Sequence, residues 1–180
     1  MLALLDSLFG LPGHPLVVHI AVVLVPLAAV GTIAIAFWAA ARRRIGWIVV
    51  ALAFVAFVGC FLAKESGEAL QNSVRRTEAV DAHVEMADGG TVAGFAVFVA
   101  AAGVMVVDLV VRQRTARQQP PLPLQGRAPV IVGVLAVILS LFGAVRIVQI
   151  GHSGAKATWG NTPIVGSGGD WGGDRGGDRD

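Results

Sequence analysis

The stretch from Pro15 to Ala41, PLVVHIAVVLVPLAAVGTIAIAFWAAA, contains no charged residue. Crossing a bilayer as an α-helix takes roughly 20 apolar residues, because the hydrocarbon layer is about 30 Å thick and a helix rises about 1.5 Å per residue. Three more stretches carry almost no charge and are long enough, the first of them only just: 45–63, 91–111 and 128–150. The chain is therefore predicted to be an all-α, polytopic membrane protein with a four-helix transmembrane bundle.

The composition also indicates a membrane protein. Of the 180 residues, 55% are hydrophobic and 14% are charged, whereas a soluble domain carries about 25% charged residues. Barrel strands would alternate apolar and polar residues, and these runs do not. Backbone groups inside lipid have to form hydrogen bonds within their own segment, which leaves helices. The single cysteine, Cys60, excludes an intrachain disulfide.

Arginines are concentrated in two of the connections between the predicted helices. Short loops rich in arginine stay in the cytoplasm. The protein is therefore predicted to lie in the inner (plasma) membrane, with both termini and the acidic 64–90 loop outside. The seven arginines, which share their side with one acid, Asp108, are Arg42, Arg43, Arg44, Arg112, Arg114, Arg117 and Arg127.

The segments outside the four spans have different compositions. Residues 1–12 are predicted to form an interfacial N-terminal segment with a short helix. Residues 13–160 form the transmembrane domain, and 161–180 are a Gly/Asp-rich tail predicted to be disordered. Within the outer loop a separate helix is predicted over 77–88, because its apolar residues share one face. Gly89–Gly90 is expected to break it from helix 3.

Helices 3 and 4 carry matching stripes of small residues. Each stripe lies on one helical face, and small faces let membrane helices approach closely. The two helices are therefore predicted to pack directly against each other. The stripes are Ala93, Ala96, Ala100 and Gly103 on helix 3, and Gly133, Ala136, Ser140 and Gly143 on helix 4.

The chain has four histidines, His14, His19, His83 and His152, and all fall on the predicted outer side. His19 lies at the hydrocarbon edge, where a polar ring should face protein. A five-residue spacing turns His19 about 140° from His14, so one ion could not easily bind both from a straight helix. These two histidines would serve opposite sides of a cofactor cluster, or pair separately with His83 and His152.

Imidazole is a ligand for iron, copper and zinc and a usual axial ligand of haem. The sequence contains no HExxH and no CxxC motif, so it indicates no specific class of metal. The structural alternative for each histidine is a polar residue that is solvated at the interface or hydrogen-bonded to a neighbour.

Arg146 is a charge inside helix 4 near its outer end, where it requires a partner. Two interpretations stand side by side: Arg146 pairs with a cofactor carboxylate or with Glu65 or Glu68, or it extends to the outer headgroups. Asp108 and Arg112 are four residues apart and are predicted to form an ordinary helical ion pair.

Three stretches resemble the bacterial membrane family catalogued as domain of unknown function 2231. They are HPLVVH (14–19), the histidine before helix 3, and RIVQIGHSGAKATWG (146–160). The resemblance covers roughly residues 10–160 and implies a four-helix membrane domain without an assigned activity. Related domains joined to Rieske-type iron–sulfur modules imply redox partners. This chain has no Rieske cysteines, and Ile20 replaces the aromatic residue of the family pattern.

These observations lead to a functional hypothesis. An outer-face histidine site is predicted to bind haem b or a transition-metal ion, for electron transfer or metal handling. The predicted cofactor-binding residues are His14, His19, His83, His152 and Arg146, with His14, His19 and His83 as the ligands of a metal ion.

The alternative function is a non-enzymatic membrane scaffold or an accessory subunit of a respiratory complex. In that case the small-residue stripes would serve partner helices. A transporter is disfavoured, because there is no continuous polar pathway. No nucleophile–base pair indicates an enzyme, and the basic loops need no nucleic-acid partner because they follow from topology.

Overall fold

The computed structural model describes residues 7–8, 11–71, 74–120 and 126–160. Within them the chain forms four long helices, and all four are long and apolar enough to cross a membrane. This result confirms the predicted all-helical fold. The helices are α1, Gly13–Phe37; α2, Ala39–Gln71; α3, Glu78–Ala116; and α4, Ala128–Trp159.

The segment before α1 differs from its prediction. Ser7–Leu8 (β1) and Leu11–Pro12 (β2) form a two-residue antiparallel pair, with Ser7 opposite Pro12 and Leu8 opposite Leu11. The interfacial helix predicted over 1–12 is therefore wrong at these four residues. The other residues of that segment lie outside the described part of the chain, as does the predicted disordered tail at 161–180.

The helices run well beyond the predicted spans. Only Trp38 separates α1 from α2, so Arg42, Arg43 and Arg44 lie in the first turns of α2 and not in a loop. Helix α4 continues to Trp159 and therefore carries His152. The apolar runs marked only the parts of these helices that lie in lipid, because polar residues can continue a helix once it leaves the membrane.

Helix α3 passes through Gly89–Gly90 without a break, so the predicted separate helix over 77–88 is wrong. The helix begins after Thr77, whose hydroxyl accepts a 3.3 Å hydrogen bond from the Val80 amide. Both glycines face side chains of α4. A Cβ atom on Gly89 would lie 2.5 Å from Nη2 of Arg146, and one on Gly90 would lie 3.5 Å from Cδ1 of Ile150.

Each helix contacts the next along the chain, α4 closes the ring against α1, and a weaker diagonal contact joins α1 to α3. The core between them consists mainly of small residues. The α3–α4 contact is the most extensive, and it includes Gly143, where a Cβ would lie 2.9 Å from the carbonyl oxygen of Ala93. The predicted direct packing of helices 3 and 4 is confirmed at Gly143, whereas a Cβ on Gly133 of the same stripe would meet no atom within 4 Å.

The second helix pair repeats the first. When His14 is aligned with His83, five of the eight buried residues of α1 fall on buried residues of α3. When Ser66 is aligned with Ser153, five of the seven buried residues of α2 fall on buried residues of α4. The matching pairs are Ala21–Gly90, Val25–Gly94, Ala28–Val97, Thr32–Ala101 and Ile35–Val104, and then Gly46–Gly133, Val49–Ala136, Ala53–Ser140, Ala56–Gly143 and Cys60–Ile147.

One contact recurs in both helix pairs, but the glycine and the large side chain have changed helices. On α2, Gly59 faces Ile20 of α1, and a Cβ on this glycine would lie 2.7 Å from Cγ2 of Ile20. In the same alignment Gly59 corresponds to Arg146 and Ile20 to Gly89, which contact each other in the second pair. The bundle therefore consists of two helical hairpins with similar patterns of buried residues.

The bundle has two chemically different ends. At the arginine-rich end, where α1 stops and α2 starts, Asp108 forms ion pairs with Arg112 at 2.7 Å and with Arg42 at 3.0 Å. The Asp108–Arg112 pair was predicted and is confirmed. Arg42 also donates from Nη1 to the carbonyls of Ile35 and Ala36, at 2.6 and 2.9 Å, so it closes the free end of α1. The opposite end of the bundle carries His14 and His83, and we call it the histidine end.

Candidate functional site

His14, in the first turn of α1, contacts the far end of α2. Its Nδ1 lies 3.0 Å from the Ser66 hydroxyl, which donates to the carbonyl of Ala63 at 3.0 Å. The Ser66 hydroxyl has one proton and lies within reach of both Ala63 and His14; we assign this proton to the Ala63 carbonyl, so that the serine oxygen accepts from His14. The ring therefore carries its proton on Nδ1, and Nε2 keeps a free lone pair.

His83, near the start of α3, is held in the same way by the end of α4. Its Nδ1 lies 2.8 Å from the Ser153 hydroxyl, and Ser153 donates to the carbonyl of Ile150 at 2.8 Å. The same reasoning gives an Nδ1–H imidazole with a free Nε2 lone pair.

Each of these rings also packs on the glycine that follows its serine. A Cβ on Gly67 would lie 3.0 Å from Cε1 of His14, and a Cβ on Gly154 would lie 3.0 Å from Cε1 of His83. A larger residue at either position would displace the imidazole. We name these sets the first histidine unit (His14, Ser66 and Gly67) and the second histidine unit (His83, Ser153 and Gly154).

The two units occupy equivalent positions in the repeat, since the alignments that pair the helices also pair their histidines and serines. Both rings are half-buried. The histidine end therefore presents two imidazoles of the same tautomer, each held by a serine.

His19 and His152 have different surroundings. Both are exposed. His19 donates from Nδ1 to the carbonyl of Pro15, one turn back on its own helix, at 2.5 Å. The structure thus corrects the expectation that the His19 ring faces protein, because the side chain lies on the outer face of α1. Both residues remain predictions as cofactor ligands.

The four histidines do not form one ligand cluster. Among the residues that the structure describes, no three His, Cys, Asp or Glu side chains are arranged to hold a metal ion. The predicted metal ligands His14, His19 and His83 are not brought together as such a group among the described residues, and they remain a prediction. The physical reason for their separation is the wide angle between His14 and His19 on a continuous helix.

Arg146 lies in the contact between α3 and α4, against the backbone at Gly89. Its Nη1 is 3.4 Å from the side-chain oxygen of Gln149. Among the described residues Arg146 forms no ion pair with Glu65 or Glu68, which was one of its two interpretations, and Glu68 pairs with Lys64 at 3.5 Å. A cofactor carboxylate as the partner of Arg146 remains a prediction.

Sequence reasoning missed Ser66 and Ser153. The signal that could have found them is the recurrence of Ser-Gly near the end of the second and fourth helices, each paired with a histidine near the start of the preceding helix. It also missed the Lys64–Asp88 ion pair, at 3.2 Å, which joins α2 to α3 at the histidine end.

Comparison with known proteins gives one match. No curated protein and no solved structure matched the chain. The model of one protein family matches residues 10–163 and so covers all four helices. The chain therefore belongs to the family described as predicted membrane protein DUF2231.

Proposed function

We propose that this membrane protein binds haem b or a transition-metal ion at its histidine end, through Nε2 of His14 and Nε2 of His83, and that it serves electron transfer or metal handling. The observation that carries the proposal is the pair of serine-held imidazoles. Histidines that bind metals almost always donate their other ring N–H to a fixed acceptor, which orients the ring and raises its basicity. Ser66 and Ser153 are such acceptors.

The number of imidazoles favours haem over a closed metal site. Haem iron takes its axial ligands from the protein and the rest from the porphyrin, so two histidines are enough. A structural zinc site takes four protein ligands, and a catalytic one takes three. A free metal ion at this site would therefore need water or a substrate to complete its coordination.

The predicted orientation of the bundle determines from which side the histidine site would be reached. The arginine-rich end is expected to face the cytoplasm, and the histidine end would then receive its ligand or electrons from outside. His19, His152 and Arg146 are proposed to contact the edge of the cofactor without ligating its iron or the metal ion.

The test is cofactor content in purified protein. The full chain, in mild detergent, is examined by reduced-minus-oxidised visible spectroscopy and by metal analysis. We expect a haem b band or a bound metal in the wild type, and its loss in both His14→Ala and His83→Ala. The matched controls, His19→Ala and His152→Ala, remove exposed imidazoles and should keep the cofactor. Loss in a control with retention in both test variants would reject the two-histidine assignment.

A colourless, metal-free protein would favour the alternative, a non-enzymatic scaffold or accessory subunit of a respiratory complex. In that case the contact with a partner would come from lipid-facing residues, because the small-residue stripes are already used between α3 and α4. Copurification of the tagged chain with respiratory subunits, from membranes solubilised in mild detergent, tests this alternative directly.

A further inference from the structure

At the arginine-rich end a cleft of about 140 Å³ opens between α1, α3 and α4. Its walls are apolar except at the ion pair of Arg42 and Asp108. Gly133 lines the cleft, and a Cβ atom built on it would meet no other atom within 4 Å. The rest of the bundle is closely packed, so open space beside a buried glycine suggests that another molecule fills it.

The internal repeat shows which side chain is missing there. The residue equivalent to Gly133 is Gly46 on α2, and that glycine is covered by the sulfur and terminal methyl group of Met105 from α3. The residue equivalent to Met105 in the first half is Ala36, which lines the cleft. One half of the bundle therefore fills this position with a methionine, and the other half leaves it open.

The residues around the cleft indicate the chemistry of the molecule that would bind there. The local charge is strongly positive, since the seven arginines at this end accompany Asp108. Within the described residues, Arg42 uses Nε and Nη1 for its hydrogen bonds, and Nη2 has none. Trp38 and Trp47 are exposed at the same end, which is the usual place of tryptophan at the level of lipid headgroups.

We propose that this cleft is a binding site for an anionic phospholipid. An acyl chain lies against Val104, Val132 and Gly133, in the position that Met105 fills in the other half. The headgroup phosphate lies at Nη2 of Arg42. Basic pockets between transmembrane helices bind anionic headgroups through this combination of charge and apolar wall. The proposal is independent of the histidine site, which is at the opposite end.

The test uses the intact protein in mild detergent and native mass spectrometry. Phosphatidylglycerol and phosphatidylcholine with the same acyl chains are added in turn. We expect about fivefold tighter binding of phosphatidylglycerol, since one basic residue near a headgroup contributes on the order of 1 kcal/mol. Ala36→Met copies the filled half and should weaken phosphatidylglycerol binding by about fivefold or more. Val130→Met adds the same side chain at an exposed position and should change nothing.

Circular dichroism establishes that each variant is folded, and Gly133→Val replaces Ala36→Met if the latter does not fold. Equal binding of the two lipids, or undiminished phosphatidylglycerol binding when the cleft is filled, would overturn the proposal. Displacement of phosphatidylglycerol by inorganic phosphate alone at similar concentration would also overturn it, because it would reveal a site for a free anion.

Discussion

At the scale of single residues, each half-buried imidazole is fixed by one serine hydroxyl. Ser66 and Ser153 each lie within hydrogen-bond distance of a backbone carbonyl three residues back, and with their protons assigned to these carbonyls they accept from the histidines. This makes the two histidines chemically alike although they lie on different helices. The sequence allows the histidines to be identified as candidates, but not the tautomer, because the serines are distant along the chain.

Removing either serine hydroxyl should destabilise the protein by a similar amount. In Ser66→Ala and Ser153→Ala the imidazole Nδ1–H loses its acceptor, which costs about 1 kcal/mol of unfolding free energy. Unfolding in mixed detergent micelles measures the effect. Thr158→Ala, which removes an exposed hydroxyl bonded to the carbonyl of Gly154, is the control and should cost less than about 0.5 kcal/mol. A large difference between the two serine variants would contradict the equivalence of the units.

Asp108 is another residue whose replacement should lower the stability of the protein substantially. Asp108→Asn removes the negative charge shared by Arg42 and Arg112. The pair with Arg42 is largely sheltered, with Arg42 19% and Asp108 17% exposed, whereas Arg112 is 47% exposed. We expect a loss of about 1–3 kcal/mol in unfolding free energy. Arg76→Gln breaks the exposed Arg76–Asp81 pair, where the side chains are 64% and 52% exposed, and should cost under about 1 kcal/mol. Equal losses in both variants would contradict the structural role of Asp108.

At the scale of elements, the apolar runs predicted the number and order of the helices correctly, and they failed at the ends. Gly89–Gly90 was expected to break a helix, since glycine is a poor helix former by about 1 kcal/mol relative to alanine. In the structure Arg146 and Ile150 of α4 lie against these glycines. This tertiary contact cannot be read from the sequence around Gly89–Gly90. The stripes on α3 and α4 were predicted because close helix packing needs small residues at helical spacing.

Two glycines of the same stripe on α4 should respond oppositely to alanine. In Gly143→Ala the new Cβ would lie 2.5 Å from Cγ2 of Val97 and 2.9 Å from a backbone oxygen of α3. The helices would have to separate, at a cost of about 2 kcal/mol. In Gly133→Ala the Cβ meets nothing within 4 Å, so the variant should be neutral or up to about 1 kcal/mol more stable. Unfolding of both variants in the same micelles decides this, and an unaffected Gly143→Ala would contradict the close α3–α4 contact.

At the scale of the whole molecule, two similar hairpins form one bundle with a histidine end and an arginine-rich end. The four spans and the family could be predicted from hydropathy and from the quoted motifs. The repeat could not, because it is carried by the positions of buried residues more than by their identities: small residues such as Ala56 and Gly143 replace one another across it. The equivalence of His14 and His83 follows from this repeat, so it could not be predicted from the sequence either.

The orientation of the bundle is predicted from its arginines and can be measured with single cysteines. In a Cys60→Ala background, Thr158→Cys lies at the histidine end and Gln119→Cys at the arginine-rich end, both in exposed positions. In intact cells a membrane-impermeant maleimide should label Thr158→Cys, while Gln119→Cys should react only after lysis. The reverse pattern would place the histidine end inside the cell.

The most direct measurement is the nitrogen spectrum of the histidine rings in protein labelled with ¹⁵N-histidine. The imidazoles are assigned by the His14→Ala and His83→Ala variants. We predict that both rings are protonated on Nδ1 and carry a free lone pair on Nε2, and that both Nε2 signals shift together when the cofactor or a metal ion binds. Protonation on Nε2 in either ring, or a shift at His19 with none at His14 and His83, would contradict the paired-histidine site.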